Sequence, residues 1–273
     1  MMEQPKVVAT GMGILAANGI GIPAFWESLL AGRSGIGRIS QFDAGEHFLK
    51  IAGEVRDFRL SDYVDGAKKA KRIGRHTQFA IAAVRMALDD ADLSRDDLAR
   101  QHSIPLYLGV STCAMDLIEN GMRRLFERGP SRFSPYIVSY ALPHGVTHTV
   151  SEFLGVNMDG RTISSACQSG AEAVFQGYHA IRSGRADLVL VGGVDAPLTS
   201  FTVAAFCSGG LRPDSYDEDH PEKASCPFDR RRTGGVLAEG AGVLVLENLD
   251  HARFRGAVPY AEITGIAGAS DEA

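Results

Sequence analysis

No apolar run in this 273-residue chain approaches the roughly 20 residues that span a bilayer. Its opening residues, Met1-Met2-Glu3-Gln4-Pro5-Lys6-Val7-Val8, lack the apolar core of a secretory signal. Cysteine is scarce as well. Cys113, Cys167, Cys207 and Cys226 are widely spaced and form no C-x-x-C pair, which speaks against a dense disulfide framework or a structural zinc site. Basic residues are not in excess, since 28 Lys and Arg face 33 Asp and Glu for a net charge of −5. General nucleic-acid binding needs the opposite balance. Internal repeats and low-complexity segments are missing too. These absences leave a cytoplasmic globular protein with no membrane or nucleic-acid partner, in keeping with its 45% hydrophobic and 22% charged composition.

Apolar strands alternating with helical patterns fill most of the chain. Residues 6–10 read as a buried strand closed by a tight turn at Gly11-Met12-Gly13. Residues 23–31 read as a helix with Phe25, Trp26, Leu29 and Leu30 on one face, stopped by Gly32. An irregular excursion over 33–66 contains an extended piece at 50–55. Helices are expected at 76–91, 116–128 and 136–154, the last interrupted by Pro143 and Gly145. Strands are expected at 104–110, 161–165 and 187–194, with a helix at 168–183. After a polar loop at 208–225 come a strand at 242–247 pairing antiparallel, a short helix at 248–255 and a strand at 258–266. Such alternation predicts a mostly parallel sheet covered by helices on both faces.

Between the strand at 161–165 and the next helix stands Ser164-Ser165-Ala166-Cys167-Gln168-Ser169-Gly170. A cysteine there has its sulfur at a helix N-terminus, where unpaired N–H groups and the macrodipole favour thiolate. Thiolate is the nucleophile, so the pattern suits covalent acyl transfer. The alternative is a small cysteine buried under the sheet.

Other signals carry less. Gly11-Met12-Gly13-Ile14-Leu15-Ala16 matches a loose dinucleotide pattern, but no helix starts at its glycines and no acidic residue ends a second strand beyond it. His144 and His148 stand four apart without the glutamate of a metalloprotease motif, and no metal site is expected. Lys68-Lys69-Ala70-Lys71-Arg72 is a basic run in an acidic chain, either a solvated helix start or a docking point for an acidic partner or a phosphate.

Four segments together resemble the β-ketoacyl-acyl carrier protein synthases of the thiolase-like superfamily. They are Val7-Val8-Ala9-Thr10-Gly11-Met12-Gly13, Ile163-Ser164-Ser165-Ala166-Cys167-Gln168-Ser169-Gly170, the strand from Arg185-Ala186-Asp187 to Gly192-Gly193-Val194-Asp195, and Pro227-Phe228-Asp229 through Glu239-Gly240-Ala241-Gly242. They occur in the family's order across nearly the whole chain.

The resemblance implies an α/β fold, the N-terminal half of a thiolase-like fold, with a five-stranded mixed sheet flanked by helices. It places that domain at 1–256 and the start of a second half at 257–273. Cys167 is implied as the acyl-accepting nucleophile, with its own N–H as one oxyanion donor. Lys68, Lys71, Arg72, Arg128 and Arg132 match positions that meet the acyl carrier protein, and Cys113, Met115 and Ile118 fall near the acyl pocket. No bound cofactor is implied, because phosphopantetheine arrives on the carrier protein. The strand around Thr162 matches one that pairs across a dimer axis, so a homodimer, or a complement with a C-terminal half, is expected.

Departures from the family are equally specific. None of the eight histidines stands in the two histidine motifs that handle the malonyl thioester, so condensation by these residues alone is not expected. Thr233, Gly235 and Ala238 replace the usual Asp, Phe and Gly, and Gln168 is unusual after the nucleophile. The polar stripe Gln168, Glu172, Gln176 and His179 would need partners if buried. The expected function is a synthase-like acyltransferase of fatty acid or polyketide elongation. The alternatives are a non-catalytic protein that binds a carrier protein or a full-length synthase, and a fragment that does not fold stably.

Overall fold

In the computed structural model, which describes residues 4–269 apart from positions 66 and 102 and the side chains of 67–69, five long strands build one mixed sheet. Strand β1 (Val7–Ala16) is followed by a short partner, β2 (Gly19–Ile20), and helix α1 (Ile22–Leu30). The excursion contains the antiparallel pair β3 (Ile36–Arg38) and β4 (Ile51–Gly53). Then come α2 (Arg75–Asp90), α3 (Arg95–Ala99), β5 (Ile104–Gly109), α4 (Met115–Arg128), α5 (Ile137–Ala141), α6 (Gly145–Leu154) and β6 (Met158–Ile163). The remainder is α7 (Ser169–Arg182), β7 (Leu188–Asp195), α8 (Ser200–Ser208), β8 (Gly240–Asn248), α9 (Leu249–Phe254) and β9 (Ala261–Ile263).

The sheet order is β2-β1-β8-β7-β5-β6, with β9 also pairing β1. Strands β5, β6 and β7 are mutually parallel, while β8 runs antiparallel to both of its neighbours, β7 and β1. The six strands expected at 6–10, 104–110, 161–165, 187–194, 242–247 and 258–266 are all present, the last only as the three-residue β9. The sheet reaches seven because β2 and β9, two and three residues long, add to β1.

Side-chain alternation assigns the two faces. Leu188, Leu190 and Val194 of β7, with Leu106 and Leu108 of β5, join the core beneath α2 and α6. Val189 and Val191, with Tyr107, point to the opposite face and pack with Ala173 and Ile181 of α7. A third, smaller core of Leu49, Ile51, Ala52, Leu198, Val203 and Leu237 lies under the excursion. Among the described residues no helix is long and apolar enough to cross a membrane.

Several local expectations are corrected. β1 does not stop at Gly11 but runs on to Ala16. Its glycines serve close approach, because a Cβ on Gly11 would lie 2.4 Å from the Ala87 carbonyl oxygen and one on Gly13 would lie 2.0 Å from that of Ala83. The alanine-rich α2 therefore sits directly on the strand backbone, and no tight turn forms there. On α1 the apolar stripe faces outward: Trp26 and Leu30 are 57% and 73% exposed, and Ser28 is the buried residue. Strand β6 ends at Ile163, not at 165, as its neighbour β5 ends at Gly109. Helix α8 has no counterpart among the expected elements.

Candidate active site

Three parallel strands, β5, β6 and β7, end side by side, and the loops leaving their C-terminal ends converge there. Open α/β sheets bind ligands at that end. After Ile163, residues 164–168 turn into α7 through Ala166, whose φ of 55° is left-handed. Such a backbone is costly for a residue with a Cβ, so the surrounding contacts must hold it. Ser169 does much of this. Its hydroxyl accepts from Ser165 N at 2.8 Å and donates to the Ala166 carbonyl at 2.6 Å, and its own N–H reaches the same carbonyl at 3.1 Å.

The start of α7 is pressed onto the sheet. A Cβ on Gly109 would fall 2.1 Å from the Ser169 carbonyl carbon and 2.3 Å from Gly170 N. Gly170 in turn lies against Gly193 of β7. The helix N-terminus, with its partial positive charge, is thus fixed at the strand ends, and the Cys167 thiol stands exposed beside it. The alternative of a buried core cysteine is not what the structure contains. The polar stripe on α7 also faces outward, with Gln168, Gln176 and His179 exposed and Gln176 donating to Glu172 at 2.8 Å.

Beside this turn runs the β5–α4 loop. Val110 N donates to Ile163 O at 2.9 Å, tying the loop to β6. On its other side Asp195, the last residue of β7, accepts from Ser111 N at 2.8 Å, Thr112 N at 2.7 Å and the Thr112 hydroxyl at 2.6 Å. Cys113 follows with a left-handed φ of 53° and packs half-buried against the main core. Burial, and then the Asp195 carboxylate, push its thiol pKa up. Met115 is half-buried like Cys113, and Ile118 is exposed.

On the other face of α4 a cleft of about 520 Å³ is lined by Gln41, Asp43, Arg75, Asp116, Glu119 and Arg123, among others. Burial raises the Asp116 carboxyl above the usual range despite hydrogen bonds from the Arg75 and Leu117 backbone.

Lys71, Arg72, Arg128 and Arg132 are exposed. The Arg72 guanidinium lies 4.6 Å over the Tyr136 ring, and the neighbouring Phe133 and Ile137 pack at Gly121 in the middle of α4. The Lys68 side chain lies outside the described residues. His144 and His148 line one cleft with Met158 and Thr162 at the β6 edge.

Glu239, which the sequence presents only inside a motif, is a buried carboxylate that ties several segments together. Its buried carboxylate accepts from Arg75 at 2.8 and 2.7 Å, Gln41 at 2.9 Å and Val55 N at 2.9 Å. A charged residue inside a glycine-rich apolar run was the available signal. Asp195 is a second omission, and a carboxylate closing an apolar strand was its signal. Of the departures, Thr233 accepts from Asp214 N at 3.1 Å, and the Ala238 methyl lies against Gly53, where a Cβ would meet it at 2.7 Å.

Comparison with known proteins follows the same lines. The family model described as "Beta-ketoacyl synthase, N-terminal domain" matches residues 4–252. The 3-oxoacyl-[acyl-carrier-protein] synthase 2 of Staphylococcus aureus (strain N315) is 35% identical over 271 residues, covering 99% of this chain and 64% of that protein. The chain therefore spans a little under two thirds of the relative's length. Among solved structures, the ishigamide ketosynthase/chain length factor superposes with a TM-score of 0.88 at 32% identity, over 96% of this chain and 63% of that one. A type II PKS acyl-carrier protein in complex with its ketosynthase bound to the hexaketide matches with a TM-score of 0.82 at 28% identity, over 96% and 63%.

Proposed function

The chain belongs to the β-ketoacyl synthase family, and from that premise we propose that it performs the acyl-accepting step of carrier-protein-dependent chain elongation at Cys167. The observation that carries the proposal is the exposed Cys167 thiol at a strand-to-helix turn whose backbone is held by Ser169 and by the contact of α7 with Gly109. In this step the thiolate attacks the carbonyl carbon of an acyl-phosphopantetheine thioester. The Cys167 N–H donates to the oxyanion, the original C–S bond breaks, and the pantetheine thiolate leaves and takes a proton. The acyl group then rests on Cys167.

Carbon–carbon bond formation with a malonyl thioester is proposed for the whole protein, since it needs two histidines in motifs that none of the eight histidines here occupies. The donor is an acyl carrier protein, the partner of the ketosynthase in one structural relative, and the exposed Lys71, Arg72, Arg128 and Arg132 suit its acidic surface. Strand β6 stands at the sheet edge with mostly outward-facing residues, a template for pairing with a second copy. A reducing compartment, the cytoplasm, suits chemistry that needs a free thiol.

Intact-mass measurement after incubation with acyl carrier protein thioester tests the proposal. One acyl increment per chain is expected, and none for Cys167→Ala with an unchanged melting curve. Full acylation of Cys167→Ala would refute it.

A further inference from the structure

The loop between the Cys167 turn and Asp195 has a construction that acyl acceptance alone does not require. Residues 110–112 are hydrogen-bonded on one side to Ile163 of the nucleophile strand and on the other, three times, to one carboxylate at the end of β7. The next residue, Cys113, takes up a left-handed backbone, and Ala114 after it is fully buried. Cys113 and Cys167 each stand four residues beyond the last paired positions of neighbouring strands, Gly109 and Ile163, so both are delivered to the same end of the sheet. Within this loop Asp195 is the shared acceptor, and it lies on a different strand from either cysteine.

We infer that Asp195 is a positioning residue for acyl-chain selection: by clamping Ser111 and Thr112 it fixes Cys113 as part of the wall beside Cys167. The inference rests on the proposed role of Cys167 and deepens it. A carboxylate that accepts two N–H groups and a hydroxyl holds a loop more firmly than an amide, which offers a single acceptor oxygen. Loosening the clamp therefore moves the wall without touching the nucleophile. Selection between acyl chains responds to such shifts, because one methylene in an apolar pocket changes rates by about 10-fold or more.

The test uses the full chain carrying Asp195→Asn or the milder Thr112→Val, with melting curves as a check on folding. Loading of Cys167 by short, medium and long straight-chain acyl thioesters is read by intact mass. In parallel, alkylation of Cys113 by iodoacetamide is followed by peptide mapping in a Cys167→Ala background. The long-to-short loading ratio should shift by about 5-fold in Asp195→Asn and less in Thr112→Val. Cys113 alkylation should accelerate by about 5-fold in Asp195→Asn, where the loop is freed and the neighbouring negative charge removed.

An unchanged loading ratio overturns the inference even if alkylation rises, since the clamp would then be structural only. Unchanged alkylation overturns the clamp itself. If wild-type Cys167 takes no acyl group from any donor, the parent proposal fails and the acyl-wall role falls with it. Alkylation of Cys113 in that case still reports whether Asp195 holds the loop.

Discussion

The turn at Cys167 and the loop over residues 225–235 both lie in motif-like segments, yet the structure treats them in opposite ways. Ser169 is buried and α7 starts in backbone contact with β5 and β7. Phe228 is fully exposed with a left-handed φ of 66°, and its neighbours Asp229 and Arg231 pair at 2.9 Å at the surface. That pairing holds the Asp229 carboxyl well below the usual carboxylate range, through hydrogen bonds from Arg231 first and its charge after. One segment is fixed by packing within these residues, while the other presents its residues to the outside. A motif therefore marks a constraint on contact without saying where the contact is.

Carboxylates extend the contrast and give the largest expected effect. Glu247 is completely buried, where Arg255 reaches it at 2.6 Å, His251 at 2.7 Å, and Thr10 also donates to it. Burial alone would raise its pKa, but the hydrogen bonds from Arg255, Thr10 and His251, with the Arg255 charge, outweigh it and lower the value from 4.5. A carboxyl whose pKa is lower folded than unfolded stabilises above its unfolded pKa and loses that contribution as pH falls through the folded one. Glu247→Gln should cost about 3 kcal/mol at neutral pH and flatten the acid limb of stability against pH, both read by urea titration. Asp229→Asn, which removes a solvent-screened pair between residues only two apart, should flatten that limb much less. Equal flattening by both would dissolve the distinction.

Next in size is Gly109→Ala. Two backbone groups within 2.3 Å of the new methyl leave no side chain to move aside, so the strand and α7 must separate. The expected loss is about 2–3 kcal/mol in chemical denaturation, together with slower acylation of Cys167. Smallest is Phe228→Gly, which removes an exposed ring and relieves the left-handed backbone. Its melting midpoint should rise or stay put, within about 1 kcal/mol. A large loss would place the loop in the packed class.

Sequence periodicity made the long elements legible because each strand shares its apolar residues between two covered faces. Helix α2 was legible for the same reason, with Phe79, Ala83, Val84 and Ala87 all buried. It failed where tertiary approach decides. Gly11 and Gly13 read as a turn because nothing local reveals that α2 will lie on them. Helix α1 has the stripe of a buried helix but turns it outward, since Ser28 meets the interior. Helix α8 was missed because apolar residues surround it without a face, although Thr199 caps it by accepting from Thr202 N at 3.2 Å. At the site, the strand-to-helix turn that carries Cys167 was legible from its setting. Asp195 and Glu239 were not, because their partners, at Ser111 and Thr112 and at Arg75, are distant in sequence.

The account stands on a pre-set thiol at the end of the sheet, and single-turnover transfer from acyl carrier protein, mapped by peptide, tests it most directly. The predicted result is one acyl group per chain, carried on Cys167 and absent from Cys113, Cys207 and Cys226. Acyl groups spread over the four cysteines, or retained in full by Cys167→Ala, would contradict it.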